Sequence, residues 1–114
     1  MLNQSAQLDQ MFQALADPSR RLMVERLCRG PASVSELAKP FEMSLPAVLQ
    51  HLQVLEQSGL VKTEKLGRVR TCSIDQKAMR NVEQWIAARR AIWEKRLDRL
   101  GEYLARQAED EKKK

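Results

Sequence analysis

Apolar positions along the chain recur first at helical spacing, then in alternation, then at helical spacing again. Leu8, Met11, Phe12 and Leu15 stand three or four apart, which predicts a first helix over about residues 5–16. "ADPSRR" restarts the pattern: Asp17 suits an N-cap, and Pro18 suits the first helical position, where its missing N–H costs nothing. Leu22, Met23 and Leu27 give the second helix an inward face, and Gly30-Pro31 ends it. In "SVSE", Ser33 followed three residues later by Glu36 forms a capping box. It opens a short third helix from about Val34 to Lys39, with Leu37 and Ala38 inward and Pro40 helping to stop it. "SLPAVLQHLQVLEQSGLV" then begins on Ser44, a capping residue, with Pro46 in the first turn. Leu45, Val48, Leu52 and Leu55 recur at i, i+3, i+7 and i+10 as the inward stripe, and Gly59 supplies a left-handed stop. About four residues, "PFEM", join the third and fourth helices, which is helix-turn-helix spacing.

After Gly59 the period changes. "LVKTEKL" and "VRTCSI" are rich in β-branched residues and flank Gly67-Arg68, so a β-hairpin with a short glycine turn and a basic tip is expected. From Asp75 the helical period returns and runs to about Ala108, followed by a charged tail, "AEDEKKK", expected to fray. Met79, Val82, Trp85, Ile86, Ile92, Trp93, Leu97, Leu100 and Leu104 line one side of this last helix. A helix of about 30 residues is ~45 Å long, too long for its stripe to be covered by so small a domain. A long apolar stripe without a local partner points to another chain. Leu8, Phe12, Val82, Ile86, Trp93, Leu97 and Leu100 are therefore expected at a homodimer interface built by the first and last helices.

The expected fold class is mainly α with a small β-hairpin: one winged helix-turn-helix domain over residues 1–114 with a long C-terminal dimerisation helix. The helix-turn-helix is placed at about 33–58, the wing at about 60–74, and the dimerisation helices at about 5–16 and 75–108. Composition agrees. The chain has 114 residues, enough for one core of modest size, and its 4% aromatic and 31% charged content favours helices over a β-sandwich. The net charge of +5 suggests a polyanionic partner, and its placement sharpens that. Residues 1–61 carry five basic and six acidic side chains, whereas 62–74 carry Lys62, Lys65, Arg68 and Arg70 against Glu64 alone. No run approaches the ~20 apolar residues of a membrane span. "MLNQSAQLDQ" has neither the basic nor the apolar region of a signal peptide. Cys28 and Cys72 form no C-x-x-C, so both are read as small buried hydrophobes in a protein of the reducing cytoplasm.

With the stripe of the fourth helix turned inward, Pro46, Gln50, Gln53 and Gln57 fall on the opposite face, flanked by Ala47, Val54 and Leu49. A glutamine amide can present paired donor and acceptor to adenine, and small apolar groups can pack on thymine methyls. The N-terminal half of such a helix reaches base edges. Ser44, Pro46, Ala47, Leu49 and Gln50, with Gln53, are therefore the candidate readers of double-stranded DNA, and Lys65, Arg68 and Arg70 the candidate phosphate contacts. His51, the only histidine, is read as structural, bonded at the hairpin or between helices. No nucleophile with a base, phosphate loop or metal-spaced cluster appears, so neither catalysis, a cofactor nor a metal is expected. Two other readings stay open: a winged helix that docks an acidic protein, and a non-specific coat for nucleic acid.

"LADPSRRLMVERL", "SVSELAKPFEMSLPAVLQHLQVLEQSGLV" and "GRVRTCSI" resemble the ArsR/SmtB-type winged-helix repressors over about residues 9–75. "EQWIAARRAIWEKRLDRLGEYL" is similar to a metal-independent branch of that family. The resemblance implies a homodimer that binds operator DNA and often represses transcription, with any effector left open. Many members have serine where this chain has Leu49, so an apolar contact is expected there in place of a hydrogen bond. The family's metal sites use Cys-x-Cys on the helix matching "ELAKPF", or His/Asp pairs on the last helix, and neither pattern occurs in this sequence.

Overall fold

The computed structural model describes residues 4–113. The first three residues of the stretch read above as lacking a leader, and the last residue of the charged tail, lie outside the described residues. Eight elements follow in order: α1 (Gln4–Leu15), α2 (Pro18–Leu27), β1 (Ala32–Ser33), α3 (Val34–Ala38), α4 (Leu45–Ser58), β2 (Val61–Leu66), β3 (Val69–Ile74) and α5 (Gln76–Lys112). By contacts the chain divides after Val82, which lies within α5, into a compact unit and a second unit of helix alone.

Local chemistry fixes most boundaries of the compact unit. The Asp17 carboxylate accepts from the Arg20 amide at 3.1 Å and caps α2. The two arginines of its first turn reach back to the open carbonyl end of α1. Arg20 donates to Ala14 O at 2.7 Å and Gln13 O at 3.1 Å, and Arg21 donates to Leu15 O at 2.7 Å. These bonds satisfy acceptors that a helix C-terminus leaves orphaned. Ser33 Oγ accepts from the Glu36 amide and donates to its carboxylate, both at 3.2 Å, to start α3. Ser44 Oγ accepts from the Ala47 amide at 3.3 Å and starts α4. Gly59, at φ +86°, ends α4 in the left-handed conformation that a side chain would strain. Ser58 completes the stop: its buried hydroxyl donates to Leu55 O at 2.7 Å and accepts from the Leu60 amide at 3.3 Å.

The hairpin forms as expected, with Gly67 at φ +64° in its turn and Lys65 opposite Arg70 across the ladder. The sheet is larger than a hairpin. β1 pairs antiparallel with β3, Ala32 opposite Cys72 and Ser33 opposite Thr71, giving the order β1-β3-β2. Two residues are too few to show a period of two, so β1 left no signal in the sequence. The core gathers Met11, Met23, Leu37, Val48, Leu55, Leu60 and Cys72, each at most 1% exposed.

Several sequence expectations need correction. Cys28, expected buried, is exposed at the C-cap of α2, where the helix has already turned past its inward face. On α2 the buried positions are Met23, Val24 and Leu27, while Leu22 lies 55% exposed. Leu45, the first residue of α4, is exposed, whereas Val48, Leu52 and Leu55 are buried as expected. Val82, assigned above to the dimer interface as part of an uncovered stripe, is 9% exposed and packs in the core of this chain. The charged tail does not fray where expected: α5 continues to Lys112. Nothing between Ala108 and Lys112 breaks a helix, and the lysine of the last turn suits a helix C-terminus.

In the second unit, no residue from 83 to 113 is buried. Ile86, Trp93, Leu97, Leu100 and Leu104, each 49–62% exposed, keep heptad-like spacing along it. Arg89 stacks on Trp85 with its guanidinium carbon 4.4 Å from the ring centre, and Arg96 lies 5.9 Å from that of Trp93. Among the described residues no helix is long and apolar enough to cross a membrane.

Candidate nucleic-acid interface

The second helix of the helix-turn-helix, α4, carries its apolar stripe into the core and turns Ser44, Pro46, Leu49, Gln50 and Gln53 to solvent, with Ala47 half-buried. At this N-terminal end Pro46 has no amide donor to satisfy and the Ser44 cap satisfies that of Ala47. Leu49 is 38% exposed, an apolar side chain among amides. Pro46, Leu49, Gln50, Leu52, Gln53 and Glu56 of α4 line a groove of about 620 Å³ together with Arg70 of β3. Four of the expected readers and one of the expected cations thus share a concavity. Lys65 and Arg68 do not line it; they stand exposed on β2 and in the hairpin turn.

Arg70 is not a free cation. Its Nη2 donates to Glu56 Oε1 at 3.2 Å and lies 3.5 Å from Thr63 Oγ1. Arg70 lines the groove, while Cys72, two residues further along β3, is buried. Cys72 is buried, and burial pushes its thiol pKa up, so it behaves as an apolar filler. Glu56 was not singled out from the sequence. The available signal was that α4 contains no other acidic residue.

His51 ties α4 to the helices before it. Its Nδ1 lies 3.3 Å from Arg20 Nη1 and 4.0 Å from Asp17 Oδ2. Arginine has only donors, so the Arg20 contact requires Nδ1 to accept and the ring proton to sit on Nε2. The histidine is therefore part of the clamp at the α1–α2 junction, the structural role expected between helices. The backbone amide of Arg20, and more weakly the Arg20 charge, hold the Asp17 carboxyl below its usual range. Among the described residues no group of three His, Cys, Asp or Glu is placed to hold a metal ion.

A capped helix with an amide face, set behind a shorter helix and beside a cationic hairpin, defines a winged helix-turn-helix. The model of the bacterial regulatory proteins of the arsR family matches residues 17–63. A crystal structure of an ArsR family transcriptional regulator is 52% identical, with a TM-score of 0.75 over 82% of this chain and 97% of that one. The chain belongs to the ArsR family. The HTH-type transcriptional regulator Rv2034 of Mycobacterium tuberculosis is 48% identical over 67 residues, 59% of this chain and 63% of that protein. This chain therefore spans less than two thirds of that curated relative. The homodimeric winged helix-turn-helix DNA-binding domain Mb0332 from Mycobacterium bovis is 25% identical, with a TM-score of 0.59 over 80% of this chain and 82% of that one.

Proposed function

We propose that this chain is a sequence-specific DNA-binding transcriptional regulator that acts as a homodimeric repressor. The observation that carries the reading is the exposed neutral face of α4, Pro46 through Gln53, beside a hairpin whose exposed side chains are mostly cationic. A groove floor suits amides and small apolar groups, and phosphates suit the cations of the rim. The homodimeric DNA-binding neighbour and the regulators among the relatives support the same reading. Two recognition helices in one dimer must enter successive major grooves. The operator is then a pseudo-palindrome with half-sites about 34–36 Å apart or a multiple of that.

Within the interface the labour divides. Arg68, at the tip of the wing, supplies phosphate affinity, and Gln50 supplies sequence choice. Leu49 prefers a thymine methyl, since it offers packing without a hydrogen bond. The test is binding of wild type, Arg68→Ala and Gln50→Ala to the DNA upstream of the protein's own gene and to systematic variants of it. Arg68→Ala should weaken binding to all sequences and lower the salt slope by about one. Gln50→Ala should cost about 1–3 kcal/mol on the cognate site and leave random DNA unaffected. Equal losses on cognate and random DNA for Gln50→Ala would reverse the assignment. Binding that ignores salt would favour a winged helix that docks a protein.

A further inference from the structure

A surface shaped for a polyanion has little use for a carboxylate, yet Glu56 lies in the groove between the amide face of α4 and the wing. It faces Arg70 there, and its side chain is 27% exposed against 50% for the arginine. The hydrogen-bonded pair at 3.2 Å leaves Arg70 neutralised where it faces the groove. Thr63 Oγ1, 3.5 Å from the same Nη2, holds the guanidinium on that side. Lys65, directly across the ladder from Arg70, and Arg68 in the turn have no such carboxylate bond among the described residues. The wing thus presents two kinds of cation: Lys65 and Arg68, without a carboxylate partner among the described residues, and Arg70, countered although it shares a rung with Lys65.

We propose that Glu56 is a charge brake on DNA binding: by pairing with Arg70 it withholds one cation from the phosphates and lowers the sequence-independent part of the affinity. The inference rests on the reading of α4 and the wing as a DNA interface. Its physical basis is counterion release. Each phosphate neutralised by a protein cation adds a fixed increment to affinity and about 0.9 to the magnitude of the salt slope. A cation already paired inside the protein must first give up its partner, and the freed carboxylate then faces the phosphates. Base contacts made by Gln50 at the other end of the groove do not pass through this pair. The brake therefore acts on cognate and random DNA alike, and its value to a regulator is shorter residence on the vast excess of random sequence.

The experiment measures affinity against salt concentration for wild type, Glu56→Gln, Arg70→Gln and the double variant, on random-sequence duplex and on the upstream DNA. Both side chains are partly exposed and outside the core, Glu56→Gln is isosteric and Arg70→Gln only shortens a surface side chain, so the fold is retained. Glu56→Gln should bind both DNAs about tenfold more tightly near 0.1 M salt and steepen the slope by about 0.9. In the Arg70→Gln background the same change should bring no gain. Weaker or unchanged binding by Glu56→Gln would overturn the brake, because the carboxylate would then present Arg70 to DNA or do nothing. A gain that persists without Arg70 would overturn the pairing route. If wild type itself shows no salt-dependent DNA binding, the regulator reading falls, and the brake falls with it.

Discussion

Individual side chains in this fold do double duty at junctions, and Asp17 shows it best. Its carboxylate caps α2 through the Arg20 amide, while Arg20 in turn anchors the end of α1 and contacts His51 of α4. One short cluster therefore joins three helices, the last of them the recognition helix. Because the folded-state pKa of Asp17 lies below its ordinary value, the cap's contribution is complete above that ordinary value. It is lost as the pH falls through the lowered folded value. Asparagine caps helices as well as aspartate but does not titrate. Asp17→Asn should keep the neutral-pH melting temperature close to wild type and flatten the acid limb of a stability-versus-pH profile. An unchanged acid limb would show that other carboxylates control it. The cluster was only half apparent in the sequence. The cap and the proline stood next to each other, but the reach of Arg20 to His51 spans 31 positions, and nothing local encodes it.

At the level of elements, what could be read in advance was whatever has a local cause. Ser33, Ser44, Gly59 and Gly67 each act within a few residues, and each stands where the sequence placed it. Elements decided by tertiary pairing were not visible. β1 exists because Ala32 and Ser33 lie along β3, and Arg70 is countered because Glu56 packs across from it. The exposure of Leu22 and Cys28 has the same origin, since only the packed fold fixes which edge of α2 the core covers. The clearest element-level test is the stop of α4. At φ +86°, an added methyl at Gly59 would strain the backbone, and it would also lie 3.7 Å from Gln7 Nε2 of α1, an ordinary contact. Gly59→Ala should therefore destabilise the domain through strain alone, by about 1–2 kcal/mol in chemical denaturation. The hairpin that starts two residues later should remain in register, with its amide exchange unchanged. Loss of hairpin protection would mean that the stop also sets the position of the wing.

For the whole molecule the open question is what covers the helix beyond Val82. Ile86, Trp93, Leu97, Leu100 and Leu104 follow spacings of seven, four, three and four, and all are about half exposed. Monomeric proteins rarely leave a row of this kind uncovered, and a heptad-like seam is the pattern by which one helix packs on another. The proposed occupant is a second copy of the chain. Within the compact unit Leu8 leans on the core and Phe12 is 38% exposed, whereas Val82 packs in that core and is withdrawn from the proposed interface. Sedimentation at micromolar concentration should give twice the 13.1 kDa chain mass. Leu97→Asp places a charge in the middle of the seam, where burial without a partner is strongly unfavourable. It should yield monomers whose compact unit keeps its secondary structure, since Leu97 takes no part in that core. Tight operator binding should disappear in the same variant, because one recognition helix reads only one half-site, while weak binding to random DNA should persist. A Leu97→Asp protein that stays dimeric would move the interface off this stripe. A monomer that binds the operator as tightly as wild type would separate dimerisation from recognition altogether.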